Sequence, residues 1–255
     1  MSESPLIKVD VQRRGANLFV SVTGVLDETT HQVLRDAIID AALHEASAVL
    51  VDVDVDQLSV SSESAWSVFA SAHWYIKTWP DVPILLVCAQ AERRLAIAGC
   101  GVARYVPVYP SAESALDALT RRSTRGRRRR ERTQLPPGTA SVGLARASIA
   151  HRLTAWSQGD LIPVASTVAV IFIENVLAHT DSAPILIVES YRDTVVVAVE
   201  DGNRHPAVRR EDTDHGAEVV SGLAIVSALC REWGSTPTLT GKTVWALVAR
   251  ETEQF

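Results

Sequence analysis

Apolar and polar residues alternate through residues 6–11 and 18–22, the period of half-buried strands. Gly24 closes the second run, and Leu26-Asp27-Glu28-Thr29-Thr30 supplies turn and helix-cap residues. From residue 31 to 46 the apolar positions change to helical spacing, with Val33, Leu34, Ala37, Ile38, Ala41, Ala42 and Ala46 on one face. The pattern then predicts a strand over 48–55, a helix over 62–75, a buried strand over 82–88 and helices over 91–98 and 112–119. Strands interleaved with helices call for a sheet with helices packed on it.

A different pattern begins past residue 139. Residues 145–156 are amphipathic and 163–178 form a long apolar helix pattern, followed by strand patterns over 185–189 and 194–200. Residues 222–232 read as a helix and 243–249 as a closing strand. Helices and strands are not strictly interleaved here, which favours an α/β sandwich built on one sheet. Between the halves lies Arg121 to Arg132 (RRSTRGRRRRER), then Gln134-Leu135-Pro136-Pro137-Gly138, which cannot continue a helix. The expected organisation is an α/β domain over 1–121, a linker over 122–138 and a second α/β domain over 139–255.

Composition supports two compact cores: 255 residues, 47% hydrophobic and 22% charged, argue against global disorder. Net charge is -5, yet eight of the 25 Lys+Arg residues fall between 121 and 132, leaving acidic halves around a basic connector. Such a run suits nucleic acid or an anionic surface. The absence of interleaved aromatic residues favours a solvated, self-repelling spacer, so nucleic acid is not an expected partner. No apolar run reaches the length of about 18 residues needed to span a bilayer. The start lacks a basic region followed by an apolar one, so a cytoplasmic chain without membrane partners is expected. Cys88, Cys100 and Cys230 show no metal-ligand spacing and are expected as buried, reduced thiols.

Three segments of the first half then matter together: Val22-Thr23-Gly24-Val25-Leu26-Asp27, Val51-Asp52-Val53 and Tyr105-Val106-Pro107-Val108-Tyr109-Pro110-Ser111. Their order and spacing resemble the STAS domain, the fold of bacterial anti-sigma factor antagonists. The resemblance implies a serine at the turn before the second helix that a cognate kinase phosphorylates. With Leu58 and Val60 on the two buried positions of the family, that turn is Ser62-Glu63-Ser64-Ala65, and Glu63 stands at the acceptor position. A carboxylate is favourable at a helix N-terminus and carries a permanent charge smaller than a phosphate's. Two readings stay open: Glu63 holds a phosphorylated-like state, with Ser62 or Ser64 as residual acceptors, or it is a good first-turn residue where regulation was lost.

In the second half, Gly241-Lys242-Thr243 imitates the end of a Walker A loop. That motif needs glycine where Thr236 stands, and a helix where Val244-Trp245-Ala246-Leu247-Val248 reads as strand. Four other segments follow in order: Asn175-Val176-Leu177-Ala178-His179, the run from Val197 to Pro206, Ser221-Gly222-Leu223-Ala224-Ile225-Val226, and Trp233-Gly234 with Gly241-Lys242-Thr243-Val244-Trp245. Together they resemble the Bergerat-type ATP-binding fold of histidine kinases, and specifically bacterial anti-sigma factor serine kinases.

The resemblance implies an ATP or ADP site with Mg²⁺. Asp201 would bond the adenine amino group, followed by Asn203. Asn175 would hold Mg²⁺ against the phosphates, Gly222 and Leu223 would offer N–H groups to phosphate at a helix start, and Thr243 would place its hydroxyl near the adenine. Where active members carry the general base, four residues before the asparagine, this chain has Ile171, so no catalytic residue is assigned. Losing such a base typically costs a factor of about 10² to 10⁴ in rate. Val220 and Ala224 replace two further glycines, and both stiffen the loop over the phosphates.

The expected function is a partner-switching regulator that binds ATP without hydrolysing it. Its partners would be a sigma factor, an anti-sigma factor, an antagonist, or its own other domain. The alternatives are an active serine kinase acting on a STAS-domain serine such as Ser64, and a scaffold whose docking is gated by nucleotide.

Overall fold

The computed structural model describes residues 7–44, 48–53, 57–122, 128–191, 194–203, 205 and 222–250. The chain divides into two compact units, Met1–Thr124 and Arg125–Phe255, each of mixed α/β construction.

In the first unit, β1 (Lys8–Arg14) runs antiparallel to β2 (Asn17–Leu26), with Lys8 opposite Thr23. The alternation of β2 buries Leu18, Val20, Val22 and Leu26. Parallel to β2 lies β3 (Val49–Asp52), followed across the sheet by β5 (Ile84–Val87) and β6 (Val108–Tyr109). A short β4 (Leu58–Val60) pairs in parallel with the far end of β2, beyond the reach of β3. Among the described residues, four α-helices accompany the sheet: α1 (His31–Leu43), α2 (Ser67–Ile76), α3 (Ala91–Gly99) and α4 (Ala112–Arg122). Helix α1 buries Leu34, Ala37, Ile38, Ala41 and Ala42 as its periodicity requires, whereas Val33 is exposed and Ala46 lies outside the described residues. The helix expected over 62–75 begins as a 3₁₀ turn, Glu63–Trp66.

In the second unit, β7 (Arg129–Gln134), β8 (Ile185–Tyr191), β9 (Thr194–Asp201), β10 (Glu232–Pro237) and β11 (Lys242–Ala249) form one antiparallel sheet in the order β10-β11-β9-β8-β7. Among the described residues, three α-helices accompany it: α5 (Ala140–Ala155), α6 (Ile162–His179) and α7 (Gly222–Leu229). One face of the sheet, carrying Leu186, Val188, Val195, Val197, Val199, Val244, Ala246 and Val248, shares a core with Ile149, Leu153, Val168, Phe172 and Val226 of the helices. The alternate residues Ile187, Ala198 and Trp245 are buried on the opposite face. There Arg132 spans Ile187 to reach Glu200 at 2.6 Å, and Arg128 contacts the buried Glu189 at 2.7 Å. Long guanidinium stems can cover apolar surface in this way while their heads remain paired.

Three expectations are corrected. The basic block is not a spacer throughout, because Arg129–Gln134 is the edge strand of the second sheet. Gly159–His179 is, by length and composition, long and apolar enough to cross a membrane, although no run of that kind was expected. Its stripe Ala165, Val168, Ala169, Phe172, Ile173 and Val176 belongs to the core of the unit, the situation of a core helix. Of the thiols, Cys88 is buried, Cys100 is exposed just past α3, and Cys230 is half-buried beyond the end of α7.

Candidate functional site

Two places carry the residues singled out by sequence, one in each unit. In the first unit, the N-termini of α1 and α2 meet beside the end of β2. Asp27 braces the turn that leads into α1: its Oδ1 accepts the Thr29 hydroxyl at 2.7 Å and the N–H groups of Thr29 and Thr30 at 2.8 and 3.0 Å. These bonds, the Thr29 hydroxyl foremost, hold the Asp27 carboxyl below its ordinary value. The turn after β4 is anchored to the same strand end, since the Ser61 N–H and hydroxyl both reach the Leu26 carbonyl.

Ser62, Glu63 and Ser64 follow, all exposed, with Ser62 Oγ and Ser64 Oγ 2.8 Å apart. Glu63 is the first residue of the 3₁₀ turn, where a carboxylate is electrostatically favourable. Beneath it, Trp66 is buried and stacks with Phe69 at 6.1 Å. Arg93 of α3 braces the turn, donating to the carbonyls of Val53 at 3.2 Å and Leu58 at 2.9 Å with its guanidinium over the Trp66 ring. His31 Nε2 lies 3.5 Å from the Ser67 hydroxyl, and partial burial, then Arg35, push its imidazole below the ordinary pKa. The spacing of the motif residues gave no sign of Arg93 or His31. They arrive from other helices.

In the second unit, Ile171, Asn175 and His179 are spaced four apart and so form one stripe along α6. At one end of the stripe, Ile171 meets Gly222, where an added Cβ would stand 2.8 Å from Ile171 Cγ2. At the other end, the Asn203 side-chain amide donates to the His179 carbonyl at 3.4 Å. Asn175, half-buried, lies between them, so the structure brings Asn175, Asn203 and Gly222 to one side of the unit. Leu223 is a core residue beside them. Val220 and Ser221 lie outside the described residues.

Asp201 ends β9 on the helix-facing side, in phase with Val195, Val197 and Val199. Directly opposite in the ladder is Lys242, in phase with Val244 and Ala246. Its ammonium contacts Asp201 Oδ1 at 3.0 Å and Oδ2 at 2.9 Å, and donates to the Asn203 carbonyl at 3.0 Å. Asp201 Oδ1 also accepts the Asn203 N–H at 2.7 Å. Thr243, paired with Glu200, has the opposite phase. It is fully buried on the other face, and its hydroxyl has no hydrogen-bond partner among the described residues. Asp201 and Thr243 therefore do not share a site. Sequence reasoning placed Lys242 in the terminal hairpin motif but gave it no role. The signal that could have found it is its phase: a lysine on an apolar, helix-facing strand position needs a buried counter-charge.

Several solved structures are similar to part of the chain. One, described as an anti-sigma factor antagonist from Mycobacterium paratuberculosis, shares 23% identity at a TM-score of 0.38, covering 45% of this chain and 94% of its own. Another, an uncharacterised protein of the DUF3478 family with a SpoIIAA-like fold from Shewanella loihica PV-4, shares 15% identity at a TM-score of 0.31, covering 47% of this chain and 98% of its own. No protein-family model matches the chain, and no curated protein does.

Proposed function

We propose that the chain is a cytoplasmic regulator of the anti-sigma factor and antagonist type, which works by binding protein partners and transfers no phosphoryl group. The partner is a sigma factor, an anti-sigma factor or an antagonist. The observation that carries the reading is Ile171: an aliphatic side chain, packed on Gly222, stands where the resemblance calls for a proton acceptor. A hydrocarbon cannot take the proton of an attacking hydroxyl, and the missing base leaves rates lower by about 10² to 10⁴. Glu174 is exposed and rotated about 100° from Asn175 around the helix, which aims it away from the same stripe.

The exposed Ser62-Glu63-Ser64 turn supports the same reading from the other unit. A fixed carboxylate at the acceptor position makes a docking surface whose charge does not depend on a kinase. The test uses the full chain and a panel of purified sigma factors, anti-sigma factors and antagonists. Titration calorimetry should find a complex, and incubation with labelled ATP should leave every protein unlabelled. Absence of any complex across the panel overturns the binding reading. Labelling that disappears in Asn175→Ala identifies a serine kinase instead.

A further inference from the structure

We infer that the second unit closes its own adenine position: Lys242 takes the hydrogen bonds of Asp201 that a nucleobase amino group would need, so the unit reaches its packed state without nucleotide. This rests on the reading of Asp201 as the residue facing adenine and is independent of which protein the chain binds.

The hydrogen-bond count comes first. An ammonium has three N–H donors, and those of Lys242 have three acceptors in Asp201 Oδ1, Asp201 Oδ2 and the Asn203 carbonyl. Oδ1 is shared with the Asn203 N–H as well. A lysine kept for a phosphate would have a donor facing outward, whereas the Lys242 side chain is only 10% exposed. An adenine amino group is a neutral donor and forms the weaker bond to a carboxylate. Displacing Lys242 would also strand a buried cation.

The backbone gives the lysine no room to withdraw sideways. Thr238 and Gly241 close the turn before β11 with two bonds, Thr238 N–H to the Gly241 carbonyl and Gly241 N–H to the Thr238 hydroxyl. The turn is pressed so closely on β9 that a Cβ at Gly241 would overlap the Asp201 carbonyl oxygen. Only glycine fits, and the following residue is thereby held opposite Asp201. The phosphate end is also filled, since the Ile171 methyl touches Gly222 where an oxygen would approach the helix start. An adenine nucleotide held as the resemblance implies does not fit the side chains present.

The experiment is adenosine, ADP and Mg²⁺–ATP binding to the full chain by calorimetry and thermal shift. The wild type should show neither heat nor shift. Lys242→Met keeps the apolar stem and frees Asp201. It should bind adenosine at least about tenfold more tightly than the wild type, the factor by which a nine-tenths populated internal contact lowers apparent affinity. That gain should vanish in the Lys242→Met, Asp201→Asn double variant. Wild-type binding that Asp201→Asn abolishes overturns the inference, as does a folded Lys242→Met chain that ignores adenosine.

A second measurement needs no variant. Lys8, Lys77 and Lys242 are the three lysines of the chain, so isotope labelling of lysine gives three side-chain signals. The Lys242 signal should stay unmoved on adding adenosine. A shift of it overturns the inference. Failure of the partner screen leaves this result untouched, and failure here leaves the partner screen untouched.

Discussion

Ile171 of α6 and Gly222 at the start of α7 touch so closely that the glycine hydrogen occupies the one space a methyl group would need. Ile171 thus has a structural duty besides the chemistry it cannot perform: it sets how near α7 stands to α6. Gly222→Ala should lower the stability of the second unit by about 1–3 kcal/mol, the usual cost of overpacking. Adding Ile171→Ala should recover part of that loss, because the clash and the relief share one contact. Urea unfolding of the wild type, the two single variants Gly222→Ala and Ile171→Ala, and the double variant measures both.

Arg93 joins three parts of the first unit: the carbonyls of Val53 and Leu58 and the face of Trp66. Arg93→Ala should cost about 1.5–3 kcal/mol, the value of hydrogen bonds made by a charged donor. Arg93→Lys should recover little, since one ammonium does not reproduce a planar fork that bonds two carbonyls and covers a ring. The Trp66 fluorescence and the unfolding midpoint should change together.

The Trp245 ring lies on Gly234 across the β10–β11 pair, with its indole N–H donating to the Thr236 hydroxyl at 2.9 Å. An added Cβ at Gly234 would stand 2.6 Å from the ring. Gly234→Ala should therefore move Trp245, and near-ultraviolet circular dichroism should register it before the sheet itself unfolds. An unchanged aromatic spectrum contradicts this placement.

Thiol reactivity should separate the three cysteines. Exposed Cys100 should react first with a disulfide reagent at pH 8, and Cys100→Ser should remove that fast phase. Burial pushes the Cys230 thiol up to about 11 from 9.0. Only about one in a thousand Cys230 side chains is then thiolate at pH 8. The folded thiol holds its proton more tightly than the unfolded one, so this contribution to stability is intact below pH 9.0 and is lost as pH rises towards about 11. In Cys230→Ala the decline across that window should be smaller.

Much of the scaffold was legible because it follows from period. The apolar stripe of α6, the runs of β8 and β9 and the alternation of β2 each bury the residues their spacing selects. Less visible were elements whose partners lie far away in sequence. The run Arg129–Gln134 looks like solvated charge until Arg132 finds Glu200, 68 positions on. The strand Glu232–Pro237 lacks alternation, so periodicity does not select it: its first residue reads as the end of the preceding helix, and only Trp233-Gly234 stands out, within a hairpin motif. At the candidate site, Ile171 and His179 of the Asn175 stripe contact Gly222 and Asn203, while Thr243 lies on the opposite face of the sheet. A shift of one residue reverses the face of a strand, and β11 presents Lys242 to Asp201 instead.

The position of β7 decides where the chain can be cut. A fragment begun at residue 139, where the composition changes, would discard the partner of six consecutive residues, Ile185 to Ser190. It would bare a row of unsatisfied amides and leave Glu189 without Arg128, a template for chain-to-chain pairing. Begun at Arg125, the fragment retains its border strand and with it a finished margin. Arg129, Arg130 and Arg132, which look like packaging between two proteins, are the hem of one of them.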